Sequence, residues 1–180
     1  QAIIDRLAEG ELPHVELALV ASSRKNAGGL DRAERAGIKH VYIGKENFEQ
    51  DLIKLLDEHE IDIIVLAGFL KILSSDFVSR YPDRIINVHP SLIPSFCGDG
   101  FYGLRVHEAA LSYGVKVTGA TVHFVNEVTD GGKIIAQRAV DIKDGDTPEI
   151  LQRRVMEEAE WKLLPAAVEK VAAEIVARRG

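Results

Sequence analysis

The sequence contains very little cysteine and methionine. Cys97 and Met156 are the only residues of their kinds among 180. A single cysteine excludes an internal disulfide and any metal site that is built from several cysteines. Because chains without disulfides are typical of a reducing compartment, the sequence predicts a cytoplasmic protein.

Long hydrophobic runs and an excess of positive charge are also absent. A membrane-spanning helix needs roughly 18 or more apolar residues, whereas the longest apolar stretch covers residues 61–70 and contains Asp62. No secretory signal is visible. The net charge of −6 disfavours a nucleic-acid binder, which usually presents a basic face. We therefore predict neither a membrane nor a nucleic acid as a partner.

The chain has no methionine at its first position. It begins at Gln1, and residues 1–7 have the pattern of an amphipathic helix without a capping residue before it. We expect from this pattern that the N-terminus is incomplete.

Apolar strand-like runs alternate with helical patterns along the chain. The predicted strands are residues 15–21, 41–43, 61–67, 84–88, 118–125 and 133–140. The predicted helices are residues 30–36, 47–59 (capped by Asn47), 75–80, 104–113 and 147–178, the last broken by Pro165. The strand at 61–67 is apolar almost throughout, which predicts burial on both faces, and the last two strands alternate, which favours antiparallel pairing. The sequence thus predicts an α/β fold, an open, doubly wound, mostly parallel sheet with antiparallel strands at its C-terminal end, in a single domain of residues 1–180.

A carboxamide and an imidazole follow each other at the end of the strand predicted at 84–88. Asn87 and His89 are two residues apart, so their side chains leave the same face, and Pro90 ends the strand because it has no amide donor. Ligands of such sheets bind beyond the C-terminal strand ends. The pair suits the stabilisation of an oxyanion. The alternative is structural: a turn at Asn87 and a carbonyl partner for His89.

A second cluster is Asp130-Gly131-Gly132, between the last two predicted strands. It is either a hairpin turn or, because the connection of seven residues exceeds what a hairpin needs, a loop whose Asp130 reaches and orients His89. His123 is either a structural strand residue or a support for this loop. The remaining histidines are placed on the surface without a role: His14, His40, His59 and His107.

A third cluster follows the strand predicted at 61–67. Gly68 permits a sharp turn, and Leu70, Ile72 and Leu73 are too apolar for a loop that lies fully in water. They either form a hydrophobic wall for a flat ligand or pack on the core.

Four segments together resemble the phosphoribosylglycinamide formyltransferases, a family of folate-dependent enzymes. They are AGFLKILS (67–74), INVHPSLIPSF (86–96), GATVHFVNEVTDGGKIIAQ (119–137) and VMEEAEWKLLP (155–165). The resemblance runs nearly end to end, and its most specific part is N-x-H-P-S-L-I-P followed by D-G-G.

The resemblance implies that Asn87, His89 and Asp130 are the catalytic trio. In that family, the primary amine of glycinamide ribonucleotide attacks the formyl carbonyl of 10-formyltetrahydrofolate. Asn87 would donate from its amide to the oxyanion, His89 would act as imidazolium and acid, and Asp130 would keep His89 charged and relay protons.

The resemblance also implies binding residues, a monomer or homodimer, and no metal. The folate contacts would be Leu70, Lys71, Ile72, Leu73, Val125, Asn126 and Thr129, and the ribonucleotide contacts would be Gly68, Pro90 and Glu160. Many family members have arginine where this chain has Lys71. In this chain, the point charge of a lysine ammonium therefore stands in place of a planar, fork-shaped guanidinium. The spacing around Glu160 is one residue longer than in some relatives.

Two departures from the family pattern lead to expectations. Residues 96–103 (FCGDGFYG) stand where the family usually has a loop that contains proline and lysine. Their three glycines predict a mobile lid. The family begins with a strand and a phosphate-binding loop, and Gln1 aligns with the helix after them. We therefore expect this chain alone to be poorly stable and inactive.

Three alternatives remain at this point. A formyltetrahydrofolate deformylase would use the same trio with water as the acceptor. A methionyl-tRNA formyltransferase is disfavoured by the acidic charge. A non-catalytic folate- or nucleotide-binding module would have no need of the trio.

Overall fold

The structure, a computed structural model, describes residues 1–44, 46–69 and 71–180. These residues form two compact units, Gln1–Asp62 and Ile63–Gly180. The single domain of residues 1–180 stays a prediction. Within the described part of the chain, no helix has both the length and the apolar character to span a membrane.

The first unit contains a parallel pair of short strands and three helices. Its elements are α1 (Ala2–Ala8), β1 (Val20–Ser22), α2 (Gly28–Arg35), β2 (His40–Tyr42) and α3 (Phe48–Glu58), and β1 pairs with β2. The strand predicted at residues 15–21 is thus shorter and later than expected. Asn47 precedes α3, but its side chain makes no capping hydrogen bond. Its backbone is left-handed, with φ of 54°, whereas a side-chain cap needs an extended residue.

The second unit contains a four-stranded sheet of order β3-β4-β5-β6. Its elements are β3 (Ile64–Leu66), α4 (Ser75–Arg80), β4 (Ile85–His89), α5 (Leu104–Tyr113), β5 (Val117–Phe124), β6 (Ile134–Asp141), α6 (Pro148–Val155), a π turn (Met156–Glu160) and α7 (Trp161–Arg179). β3 and β4 are parallel, and β4–β5 and β5–β6 are antiparallel. The predicted fold class, α/β with parallel strands first and antiparallel strands at the C-terminal end, is confirmed.

The core of this sheet lies under β4 rather than β3. Ile85 and Ile86 are fully buried, whereas β3 is only half-buried and shorter than the predicted strand at 61–67. The prediction of a strand buried on both faces was wrong because β3 is the edge strand of the described sheet. β4 and β5 are the two strands flanked on both sides, and they contain most of the buried positions of the sheet.

The C-terminal helices cover the antiparallel part of the sheet. Ala120 and Val140 of β5 and β6 pack against Leu151, Val155 and Ala159 of the helical segment. The expected break at Pro165 was wrong, because α7 continues through this residue. The irregularity of this helical segment lies instead at the preceding π turn.

Gly119 provides a test of the tight pairing of β5 with β6. A Cβ atom at Gly119 would collide with the Arg138 carbonyl and contact Leu92. We expect Gly119→Ala to lower the free energy of unfolding by about 1–3 kcal/mol, because the strands must separate to admit the methyl group. Thermal and urea unfolding measure this loss. Gly29→Ala, where the added Cβ meets no atom within 4 Å, is the control, and an equal loss in both variants would contradict the expectation.

Candidate active site

The site is built on the C-terminal end of β4. Asn87 and His89 leave the same face of this strand, as predicted, and His89 is 4% exposed. In the antiparallel pairing with β5, Asn87 lies opposite His123 and His89 lies opposite Thr121. Two polar residues of β5 therefore stand beside the predicted pair.

Asp130 is brought to β4 by the connection between β5 and β6. Its backbone is left-handed, with φ of 54°, and a Cβ at Gly132 would collide with the Phe124 carbonyl. A hydrogen bond within the connection stabilises it: the Oδ1 atom of Asn126 accepts from the Val128 N–H at 3.0 Å. The result is a loop rather than a plain hairpin turn, and it places Asp130 Oδ2 3.4 Å from Nδ1 of His89.

The environment of Asp130 favours its ionised form. Burial raises the pKa of this carboxyl, but the contact with His123, the backbone N–H of Gly98 and the charges of His89 and His123 outweigh burial, so the pKa lies below its usual value. The Gly98 N–H donates to Oδ2 at 2.9 Å. The site therefore contains a nearly buried carboxylate between two imidazoles.

His123 lies in this group of side chains, next to both Asn87 and Asp130. Its Nδ1 lies 2.8 Å from the Phe124 carbonyl. Because a carbonyl only accepts, Nδ1 carries the proton. Its other ring nitrogen, Nε2, lies 3.3 Å from Nδ2 of Asn87 and 3.7 Å from Oδ1 of Asp130. His123 thus orients the Asn87 amide and borders Asp130.

The surface position predicted for His107 was wrong. His107 is 1% exposed, because it shares with Val106 and Ala110 the face of α5 that packs inward. Burial, with a smaller contribution from the charge of His89, lowers its pKa to about 4. The helical spacing of residues 106, 107 and 110 was the available signal. A neutral imidazole thus lies near His89.

A buried hydroxyl supports the turn that follows His89. Thr121 Oγ1 donates to the Ser91 carbonyl at 2.7 Å and accepts from the Ile93 N–H at 3.1 Å. Gln137 Nε2 of β6 donates to the same hydroxyl at 2.9 Å and to the Ile93 carbonyl at 3.0 Å. Residues 91–93 are therefore tied to β5 and β6 directly beneath the site.

Replacement of the Thr121 hydroxyl tests this support. We expect Thr121→Val to lower the free energy of unfolding by about 1–3 kcal/mol, because it leaves the buried Ser91 carbonyl and Ile93 N–H without their partner. Thr121→Ser keeps the hydroxyl and is the matched control. The free energy of unfolding of both variants is measured in urea. If the serine variant is as unstable as the valine variant, the loss comes from packing and not from the hydroxyl.

Residues 1–168 match the formyl transferase family. The chain belongs to this family. Trifunctional purine biosynthetic protein adenosine-3 of Homo sapiens is 44% identical over 178 residues, which cover 96% of this chain and 17% of that protein. The chain thus spans about a sixth of the length of this relative.

Solved structures of the formyl transferase fold are also similar to the chain. Glycinamide ribonucleotide transformylase 1 from Symbiobacterium toebii matches with a TM-score of 0.87 and 38% identity, covering 96% of this chain and 81% of that one. A formyltetrahydrofolate deformylase from Pseudomonas syringae matches with a TM-score of 0.84 and 27% identity, covering 96% of this chain and 57% of that one.

The residues predicted to contact folate in this formyl transferase lie in two loops. Leu70 falls outside the described residues. Lys71 is exposed, Ile72 is 80% exposed and Leu73 is half-buried. In the other loop, Val125 is half-buried, and Asn126 and Thr129 are exposed. Exposed apolar side chains such as Ile72 are available to a ligand, whereas the Asn126 side chain also holds its own loop.

The residues predicted to contact the ribonucleotide occupy three different elements. Gly68 has φ of 64°, which lets the chain turn sharply after β3. Pro90 is half-buried directly after β4. Glu160 is the last residue of the π turn, and burial raises its pKa to about 7. π turns inside helices often occur at functional sites.

The raised pKa of Glu160 predicts a pH-dependent stability. Because the folded pKa of about 7 lies above the usual value of 4.5, ionisation destabilises the fold increasingly from pH 4.5 to 7 and fully above that range. We expect Glu160→Gln to raise the unfolding midpoint at pH 8, by about 2–4 °C for each kcal/mol gained, and to have little effect at pH 4.

Thermal scans at both pH values check this expectation. Glu158→Gln removes an exposed charge from the same π turn and is the matched control. An equal gain at pH 4 and pH 8, or the same gain in the control, would contradict it.

Proposed function

We propose that this chain transfers the formyl group of 10-formyltetrahydrofolate to the primary amine of glycinamide ribonucleotide, a step of purine biosynthesis. The observation that supports this most strongly is the convergence of Asn87, His89 and Asp130 at the end of β4, with His89 Nδ1 3.4 Å from Asp130 Oδ2. Membership of the formyl transferase family and the names of the relatives also support it.

The trio supplies the groups that the reaction needs. The substrate amine attacks the formyl carbon, a C–N bond forms, and the carbonyl electrons move to oxygen. An N–H of Asn87 and the imidazolium of His89 stabilise this oxyanion. Collapse of the intermediate breaks the bond to N10 of the folate. As this bond breaks, the His89 imidazolium gives its proton to N10, and the proton that the amine loses then restores the imidazolium, with Asp130 helping to relay it.

Asp130 and His123 prepare these two donors. The lowered pKa of Asp130, held down against burial by His123 and by the Gly98 N–H, keeps the carboxylate ionised beside His89. His123 Nε2 lies 3.3 Å from Nδ2 of Asn87 and so holds the Asn87 amide in place beside the oxyanion. Because these groups are held before substrate binds, little reorganisation is needed during the reaction.

Two loops and the π turn belong to the same proposal. The folate would lie along Leu70, Lys71, Ile72 and Leu73 and along the loop that holds Val125, Asn126 and Thr129. The ribonucleotide would contact Gly68, Pro90 and Glu160. We further propose a monomer or homodimer in the cytoplasm, with small-molecule substrates and no metal. Among the described residues, no group of three or more His, Cys, Asp or Glu is arranged around a common metal position.

Formyl transfer with both substrates tests the proposal. We expect His89→Ala and Asp130→Ala each to lower kcat roughly 10²- to 10³-fold, because each removes a group that stabilises the transition state. His40→Ala, at an exposed position, is the control. The assay is run on the chain itself and on the chain extended before Gln1 by a family-type strand and phosphate loop.

Hydrolysis measured without the amine separates the alternatives. Release of formate at an undiminished rate in the absence of glycinamide ribonucleotide would favour the deformylase, which the Pseudomonas syringae structure represents. Absence of any reaction with 10-formyltetrahydrofolate in both forms would overturn the proposed function.

A further inference from the structure

The segment Phe96–Gly98 contacts both His89 and Asp130 through its backbone. His89 Nε2 lies 2.9 Å from the Phe96 carbonyl oxygen, and the Gly98 N–H donates to Asp130 Oδ2 at 2.9 Å. The lid predicted from the glycines of residues 96–103 stays a prediction. The two backbone contacts carry a different inference.

The Phe96 carbonyl determines which nitrogen of His89 exchanges a proton. A carbonyl oxygen has no proton to give, so Nε2 must carry the hydrogen of this bond. The neutral imidazole then has its lone pair on Nδ1, which is the nitrogen 3.4 Å from Asp130 Oδ2. Protons taken up or released by His89 therefore pass through Nδ1, on the side of Asp130.

The Gly98 N–H fixes the same carboxylate oxygen that faces His89. Burial raises the pKa of Asp130, whereas His123, this N–H and the charge of His89 lower it. The titratable groups around the pair are His123 of β5, Cys97 of the segment and His107 of α5. Among the described residues, Gly98 provides the backbone donor to Asp130.

Local geometry holds the segment in place. Phe96 and Gly98 are both left-handed, with φ of 49° and 87°, and the Phe96 ring packs against Phe101 and Tyr113 with centroids 6.4 Å and 6.0 Å apart. The Cys97 thiol donates to the Pro94 carbonyl at 3.3 Å. A tight turn anchored by aromatic rings thus presents one carbonyl and one N–H to the pair.

We propose that Phe96–Gly98 is a backbone clamp that sets the tautomer of His89 and the position of Asp130, so that Nδ1 of His89 is the nitrogen that transfers the proton. Its residues are positioning residues, since they act through His89 and Asp130. The consequence for catalysis rests on the proposed function, whereas the tautomer and the titration of Asp130 do not.

Gly98→Ala and Gly100→Ala form a matched pair for the test. The two glycines have φ of 87° and 88°, and an added Cβ meets no atom within 4 Å at either position. Both variants strain the loop equally, but only Gly98 donates to Asp130 in the described structure. Carbon-13 NMR of the Asp130 carboxyl should show its pKa rising in Gly98→Ala and staying unchanged in Gly100→Ala.

An ester at position 98 removes the donor without the strain. Incorporation of glycolic acid in place of Gly98 exchanges the N–H for oxygen, and we expect the same rise in the Asp130 pKa. In the transfer assay, kcat should fall roughly ten- to a hundredfold and the acid limb of its pH profile should move to higher pH, with KM unchanged within about twofold. Nitrogen-15 NMR of neutral His89 should show the proton on Nε2.

Three results would overturn the clamp: equal effects of the two alanine variants, an Asp130 titration unmoved by the ester, or a neutral His89 that carries its proton on Nδ1. The NMR measurements need no substrate. A chain that transfers no formyl group but shows the expected titrations would therefore refute the proposed function and leave the clamp standing.

Discussion

The antiparallel pairing of β4 with β5 is the constraint on which the site depends. It places Asn87 opposite His123 and His89 opposite Thr121. A shift of the register by one residue would turn every side chain of one strand to the other face of the sheet. The register is held by fully buried Ile86 and Val122 and by the Thr121 hydroxyl, which ties the turn after His89 to β5. The core and the site are therefore fixed by the same pairing.

Burial of Asp130 sets the second requirement, because a carboxylate removed from water must find donors in the protein. The Gly98 N–H donates to the Asp130 carboxylate, and the imidazoles of His89 and His123 lie 3.4 Å and 3.7 Å from its oxygens. Both imidazoles also have a second partner, the Phe96 carbonyl for His89 and the Phe124 carbonyl for His123. This sharing makes the site a connected network, in which moving one member changes the protonation of its neighbours.

Local sequence patterns were reliable where a local cause decides the structure. Residues 75–80 and 104–113 formed the predicted helices, and the alternating runs became β5 and β6. They failed where tertiary packing overrides the pattern. The run at 61–67 forms only a short edge strand, and Pro165 lies within an uninterrupted α7. His107 was judged by its polarity, although its helical spacing placed it on the buried face.

The sequence by itself determined the fold class and the placement of Asn87 and His89 on one face of a strand. The period of two along a strand and the end of the strand at Pro90 are local properties. It also indicated Asp130 by the glycines that follow it and by the resemblance. Only the tertiary structure decided that His123 orients Asn87 and that the backbone of residues 96–98 contacts His89 and Asp130. The physical reason is that no local sequence pattern identifies the residue opposite on another strand or a backbone donor from a distant loop, so both become visible only when these segments are packed together.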